Sequence, residues 1–304
     1  IDIKKINKKM KQENNKSIKT KNKIYDYNGL HFEVPLLSKD NPLIIQANET
    51  QIPKKTQEEW FHRLKTTNSA MLDTVNTPFS YASFDSTSHA PFLVSPTIKN
   101  KKTFSTPSSS LLRVLDCPIK FPGSCEYRIP HELACRIEEP LRLILSFYHL
   151  VLNPSHAIDF FAYLTFDEGP VPSNVPPRHG GIHVDGFQGS RVSPKHPLNH
   201  TFILYDALPT SFYPHVSFDT SSLNPSKDHF FKEFERRHAS SATPLFFPSY
   251  SLLLLNPYCW HASTPSSSSI PHRVFMRVSF STRQFDRLGN THNPLFDYSW
   301  SMVP

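Results

Sequence analysis

HGGIHVDGF, residues 179–187, decides how the rest of the chain is read. His183 and Asp185 stand two residues apart. In an extended segment, side chains at i and i+2 leave the same face. An imidazole and a carboxylate then converge on one point. His179 is a rival for the first position. Gly180 and Gly181 follow it, and its spacing to Asp185 suits a shared face less well, so it reads as a loop residue. With 16 histidines in the chain, a chance H-x-D is common, and the pair needs support from elsewhere.

That support lies downstream. LLLLNPYCWHAS, residues 252–263, reads as a buried strand that delivers His261 at its end. Two histidines and one carboxylate are the donor set of a facial triad, which leaves the opposite positions of an iron ion open. Tyr258 and Trp260 read as packing residues, and Cys259 as a buried, inert thiol. The next element is RVFMRVSFSTR, residues 273–283. Period two puts Val274, Met276, Val278 and Phe280 on one face, and Arg273, Phe275, Arg277, Ser279, Ser281 and Arg283 on the other. A polar face on a core-like strand needs a partner, because burying charge alone is expensive. A dicarboxylate such as 2-oxoglutarate supplies one, since a carboxylate suits a bidentate guanidinium. Arg277 is mid-strand with Ser279 beside it, and is the better anchor. Arg273 and Arg283 sit near the ends and are expected to be partly solvated.

The order of H-x-D, a distal histidine after an apolar strand, and R-x-S resembles the 2-oxoglutarate/Fe(II) dioxygenases over roughly residues 155–285. The resemblance implies a double-stranded β-helix. It implies that His183, Asp185 and His261 hold Fe(II) as the catalytic centre, and that Arg277 and Ser279 bind 2-oxoglutarate. The reaction it implies converts 2-oxoglutarate to succinate and CO2 while a substrate is hydroxylated or demethylated. Related halogenases lack the carboxylate, so Asp185 argues for hydroxylation or demethylation. TPSSSSIPH, between His261 and Arg273, departs from the family by lengthening the connection, and leaves Arg273 open as the anchor beside Arg277.

The surrounding chain fits a mainly β body with supporting helices. It has 24 Phe and 11 Tyr, 28 Pro and only 8 Gly, and the prolines punctuate short apolar runs. Strand-like runs fall at 160–166, 200–208, 251–256 and 273–281, and 25–37 suggests a further strand ending at Pro35. The clearest helix is 130–152, with Leu133, Ile137, Leu141, Ile144, Tyr148 and Val151 on one stripe. Pro140 is expected to kink or divide it. Thr56 and Glu59 read as a capping box for a helix at 56–65. Residues 227–238 suggest another helix, and 66–109 read as a long loop. This divides the chain into a basic tail (1–24), an N-terminal extension with a short helix and long loops (25–129), and a helix plus β-helix domain (130–304). Phe187, Gln188 and Arg191 follow the H-x-D and are candidate substrate contacts. The aromatic run FDRLGNTHNPLFDYSW, 285–300, is expected to pack over the barrel.

Charge is confined to one end. Residues 1–23 carry nine lysines against Asp2 and Glu13, and the other 24 basic and 24 acidic residues cancel. Such a segment reads as a solvated arm, with contact to a polyanion as its functional reading. Cys117, Cys125, Cys135 and Cys259 form no C-x-x-C pair and suggest no disulfide framework, so the chain reads as intracellular rather than secreted. No apolar run is long enough to span a bilayer. The substrate stays open between a protein side chain, a nucleic-acid base and a small metabolite. Two other readings stand beside the oxygenase. One is a catalytically silent scaffold of the same fold, suggested by the tail and the Ser/Pro-rich insertions. The other is a cupin-type metalloprotein without 2-oxoglutarate, against which the Arg277 strand argues.

Overall fold

The computed structural model describes residues 23–27, 30–34, 37–47, 52–67, 84–85, 90–107, 112–152, 157–178, 180–185, 200–214, 217–219, 222–224, 227–238 and 242–301. The lysine-rich residues 1–22, His179 and the candidate substrate contacts Phe187, Gln188 and Arg191 lie outside them. Among the described residues, no helix is long and apolar enough to cross a membrane.

The chain opens with an antiparallel hairpin of β1 (Lys23–Tyr27) and β2 (Leu30–Val34), where a single strand was expected. Asn28-Gly29, the strongest two-residue hairpin signal, falls between them. β3 (Leu43–Gln46) and α1 (Lys54–Thr67) follow. α1 starts earlier than the capping-box reading placed it: the amides of Thr56 and Gln57 donate to the Pro53 carbonyl, so Thr56 is already inside the first turn. The stretch 66–109, expected as loop, contains β4 (Phe84–Asp85), β5 (Phe92–Ser95) and α2 (Lys101–Ser105). β6 (Arg113–Lys120) and β7 (Glu126–Ile129) lead into α3 (His131–Phe147), which continues as a π-helical turn over Tyr148–Leu152. All six predicted stripe residues of this helix are buried. Pro140 neither breaks nor divides it; the helix runs through this position as one element. The second half of the chain supplies β8 (Phe161–Val171), β9 (His200–Tyr205), β10 (Thr210–Phe212), β11 (Ser217–Phe218), α4 (Phe230–His238), β12 (Leu252–Leu255), β13 (His261–Ser263) and β14 (Ile270–Ser281).

Six of these strands form one antiparallel sheet in the order β5-β12-β9-β14-β8-β6. The extension over 25–129 therefore contributes β5 and β6 to the same sheet as the later strands. The sheet has two differently used faces, as the period of two dictates. Val274, Met276, Val278 and Phe280 join Leu164, Phe166, Phe202, Leu204, Leu252 and Leu254 in the main core, packed against Trp60, Leu64, Phe104 and the α3 stripe. The opposite face of β14 carries Phe275, which belongs to a second apolar cluster with Ile203, Tyr205, Leu253 and Leu255. Arg277 and Ser279 share that second face. A mainly β body with few helices is thus observed, with α1, α2 and α3 packed against the main core and α4 in a separate cluster around Trp260.

A buried ion network ties helices to sheet. Arg136 of α3 donates to Glu168 of β8 at 2.6 Å and, through Nε and Nη2, to the Phe104 carbonyl of α2. Glu168 also meets His272 Nε2 of β14 at 3.0 Å. The edge strand β6 is covered by the C-terminal aromatic run. Thr291 exchanges hydrogen bonds with Leu115, and Asn293 donates to the Pro118 carbonyl. Phe121 sits among Phe296, Tyr298 and Trp300. This run seals a sheet edge, which answers the liability of unpaired strand groups. Glu168→Ala strands the Arg136 charge in the core, and is expected to lower unfolding stability by about 3–5 kcal/mol in a denaturant titration.

Candidate metal centre

The sequence places His183 and Asp185 in a segment that docks across the second face of the sheet. His183 pairs with His261, the first residue of β13, as an isolated antiparallel bridge. The amide of each donates to the carbonyl of the other, at 2.9 and 3.0 Å. β13 in turn pairs with β10. One backbone bridge therefore sets two imidazoles side by side, with ring centroids 4.4 Å apart. Asp185 turns back to the same point, its Oδ1 4.0 Å from His183 Nε2. One donor atom from each of His183, Asp185 and His261 lies within 4.8 Å of the others, an arrangement that can hold a metal ion. Among the described residues this is the sole such group of histidines, cysteines and carboxylates.

Tautomers follow from the second nitrogen of each ring. His183 Nδ1 donates to the Gly181 carbonyl at 3.0 Å, and His261 Nδ1 to the Cys259 carbonyl at 2.9 Å. A carbonyl only accepts, so each Nδ1 carries a proton, and in the neutral tautomer Nε2 keeps its lone pair. Burial, followed by the neighbouring His183 charge, pushes the His261 pKa down to about 4. Burial opposes ionisation of Asp185, but the positive groups of His261, Arg277, His183 and Arg178 hold its pKa below the ordinary carboxylate value. With both rings neutral, the cluster offers two nitrogens and one carboxylate oxygen. These are the protonation states a divalent cation requires.

Arg277 is placed mid-strand in β14, paired with Thr165 of β8 and Ile203 of β9. Burial disfavours its charge, but Asp116 and Asp185 more than compensate and raise its pKa. Its Nη2 donates to Asp116 Oδ1 at 2.6 Å, while its buried Nε has no hydrogen-bond partner among the described residues. Ser279 is also buried on this face, and its hydroxyl meets Thr201 across the strand pair at 3.3 Å. Arg273 departs from the expectation of a solvated end. It is 4% exposed, donates Nε to the Ala207 carbonyl at 3.0 Å and lies 5.1 Å over the Phe275 ring. Thus Arg277 keeps a buried Nε without a partner among the described residues, while Arg273 is tied to the backbone. Arg283 is exposed beyond the end of β14.

Two site residues were not anticipated. Asp116 arrives through a bulge in β6: Val114 faces Phe166 and Cys117 faces Leu164, so two β6 residues oppose Thr165 alone. Asp116 adopts φ 42°, a conformation that Asp tolerates better than most side chains, and exchanges hydrogen bonds of 3.1 Å with Thr165 Oγ1. Its one sequence signal is an acid interrupting an apolar strand. Arg178 packs 4.9 Å over Phe275, with Nη1 3.8 Å from Asp167 Oδ2 and without a hydrogen bond. Burial, then the charge of Arg277, lowers its pKa to about 10, so it stays cationic. A proline-rich loop gave no sign that this arginine folds inward. Tyr258, Cys259 and Trp260 are buried, and Trp260 stacks on Phe234 of α4 at 3.8 Å.

No protein-family model matches the sequence, and no curated protein matches it. Solved structures similar to the chain are distant. EvdO2 from Micromonospora carbonacea var. aurantiaca complexed with 2-oxoglutarate is 8% identical over 76% of this chain and 91% of that one, with a TM-score of 0.35. A Pseudomonas putida prolyl-4-hydroxylase is 12% identical over 71% and 99%, with a TM-score of 0.32. An oxidoreductase of the 2OG-Fe(II) oxygenase family from Burkholderia pseudomallei is 11% identical over 80% and 97%, with a TM-score of 0.33. At these scores the likeness carries no argument of its own, and the functional reading rests on the site.

Asp116→Ala leaves Arg277 Nη2 without its acceptor, and is expected to cost about 1–3 kcal/mol of stability in a denaturant titration. Asp116→Asn keeps an oxygen acceptor and a side chain that tolerates positive φ, and is expected to cost less.

Proposed function

We propose that this chain is an Fe(II)- and 2-oxoglutarate-dependent oxygenase that hydroxylates or demethylates its substrate, built on a double-stranded β-helix. One observation carries the reading: three donor atoms within 4.8 Å, with both Nδ1 atoms engaged elsewhere, lie near a half-buried arginine whose buried Nε has no partner among the described residues. His183, Asp185 and His261 would hold the metal, and the donor set of two imidazoles and one carboxylate suits Fe(II). When bound, iron and 2-oxoglutarate would supply the oxidising chemistry with O2 as the oxidant, one oxygen atom going to succinate as CO2 leaves and the other to the substrate.

The residues of the chain supply geometry and charge. His183 and His261 would present Nε2 to the metal because their Nδ1 atoms are engaged by backbone carbonyls. Asp185 stays ionised, which keeps the third donor negative. Arg277 offers its free Nε to the far carboxylate of 2-oxoglutarate, and Ser279 on the same strand face offers a hydroxyl. Asp116 holds the guanidinium through Nη2. Arg178 adds a second positive charge, which suits a site that takes a dianion. Phe275, Tyr205, Ile203 and Leu253 surround this face with apolar surface. Excluding water there strengthens each charged contact.

A second reading has its own support. Asp116 already engages Arg277, as an internal carboxylate standing where a cosubstrate carboxylate would bind. In that reading the chain keeps the fold as a catalytically silent scaffold.

Anaerobic addition of Fe(II) and 2-oxoglutarate separates the two. The oxygenase reading expects the weak visible absorption of an iron-bound keto acid, lost in His183→Ala and strongly weakened in Arg277→Ala. Iron binding without the band overturns the 2-oxoglutarate assignment and favours a cupin-type site. Binding of neither sinks the metal reading and leaves the scaffold. Metal binding is also expected to stabilise the fold. At 100 times its Kd, Mn(II) should add about 2.7 kcal/mol to unfolding stability, an increment absent in His261→Ala.

A further inference from the structure

Behind His183 stands a chain of hydrogen bonds that begins on α4. The peptide group between Gly181 and Ile182 uses both of its polar atoms. Its carbonyl accepts the His183 Nδ1 proton at 3.0 Å, and its N–H, from Ile182, donates to Glu235 Oε1 at 2.8 Å. A carboxylate on α4 is thus joined to an imidazole through a single peptide plane. Hydrogen bonds in such a series polarise one another, so a charged acceptor at one end makes the carbonyl a better acceptor at the other.

The local backbone is shaped for this contact. Gly181 has φ 90°, and a Cβ there would stand 3.1 Å from Glu235 Oε1. Glycine alone allows both the left-handed conformation and the close approach of the carboxylate. The helix is oriented for it too. Phe231, Phe234 and Glu235, at i, i+3 and i+4, share one face. Phe231 lies 6.0 Å from the His183 ring, and Phe234 stacks on Trp260, which precedes His261. α4 therefore touches both segments that carry the candidate imidazoles. The other carboxylate of the helix, Glu233, is engaged by Arg236 and Arg237 and faces away from this site.

We infer that Glu235 is a positioning residue of the metal centre, holding the Gly181–Ile182 peptide so that His183 presents Nε2 in a fixed orientation and tautomer. This rests on the metal reading of His183, Asp185 and His261 given above. Residues that orient a ligand from behind typically set metal affinity by 10–100-fold when lost.

The test uses the full chain and three substitutions: Glu235→Ala removes the contact, Glu235→Asp keeps the charge but falls short of the Ile182 amide, and Glu235→Gln keeps the reach and an oxygen acceptor. Exposed Lys232→Ala on the same helix is the control. Mn(II) affinity is measured by calorimetry, and the ligand-field spectrum is recorded with Co(II). Glu235→Ala and Glu235→Asp are expected to bind Mn(II) about 10–100-fold more weakly, with an altered Co(II) spectrum and little change in the melting temperature of the metal-free protein. Glu235→Gln is expected to recover most of the affinity. If Glu235→Ala does not fold, the contrast between Asp and Gln decides. An Asp variant with the affinity and spectrum of wild type overturns the inference while leaving the metal reading intact. A wild-type protein that binds neither Mn(II) nor Co(II) overturns both.

Discussion

The centre depends on two hydrogen bonds between backbones, those that pair His183 with His261. Side chains directly opposite in an antiparallel pair lie within about 4.5–5.5 Å at Cβ. That spacing brings two imidazoles to a common point without help from side-chain packing. It also converts a distance of 78 positions along the chain into a local relation. Asp185 then needs only the period of two from His183 to join them. The proposed ligand set is therefore a property of sheet geometry, and the surrounding clusters serve to keep the bridge in place. Phe234 on Trp260 and Glu235 on the Ile182 amide brace its two sides from one helix.

Charge is the second constraint. Asp185, Arg277, Asp116 and Arg178 interact electrostatically on one buried face of the sheet. Burying an isolated charge is costly, and removing one partner of a buried pair is costlier than never having had the pair. The chain meets this by alternating signs: Arg277 is bonded to Asp116, Arg178 faces Asp167, and Asp185 lies in the field of both arginines. Nη1 of Arg178 and Nε of Arg277 remain buried without hydrogen bonds. Native interiors rarely leave such donors alone. An anionic ligand accounts for both, which is why the arginine pair supports the proposed cosubstrate more strongly than either arginine by itself.

Much of this was legible in the sequence, and what was legible was periodic. β14 reads correctly on both faces because alternation is a local signal: its even positions enter the main core and Arg277 the polar face. The α3 stripe reads for the same reason. The reading failed where non-local contacts override local preference. Arg273 opens the run that the sequence reads as a strand, where solvation is the ordinary fate, yet the strand begins at Ile270 and Arg273 is buried against an aromatic ring and a backbone carbonyl. β5 and α2 hide in a Ser/Pro-rich stretch because their pairing partners lie elsewhere in the chain. A bulge such as the one at Asp116 leaves no periodic trace, since its signature is the loss of register between two strands distant in sequence.

The two faces of β14 also explain why a single strand carries so much of the molecule. Valine, methionine and phenylalanine on one face fix its position against α3 and the core, so the strand cannot slip. A slip of one residue would carry Arg277 into the hydrophobic layer and Val278 into the polar one. The apolar face therefore sets the register of the charged face, and the charged face lies on an interior strand, paired on both sides by β8 and β9. A guanidinium held there has little freedom to follow a ligand. In the proposed function, the spacing between Arg277 and the His183–His261 bridge would limit the length of an anion that reaches from one to the other.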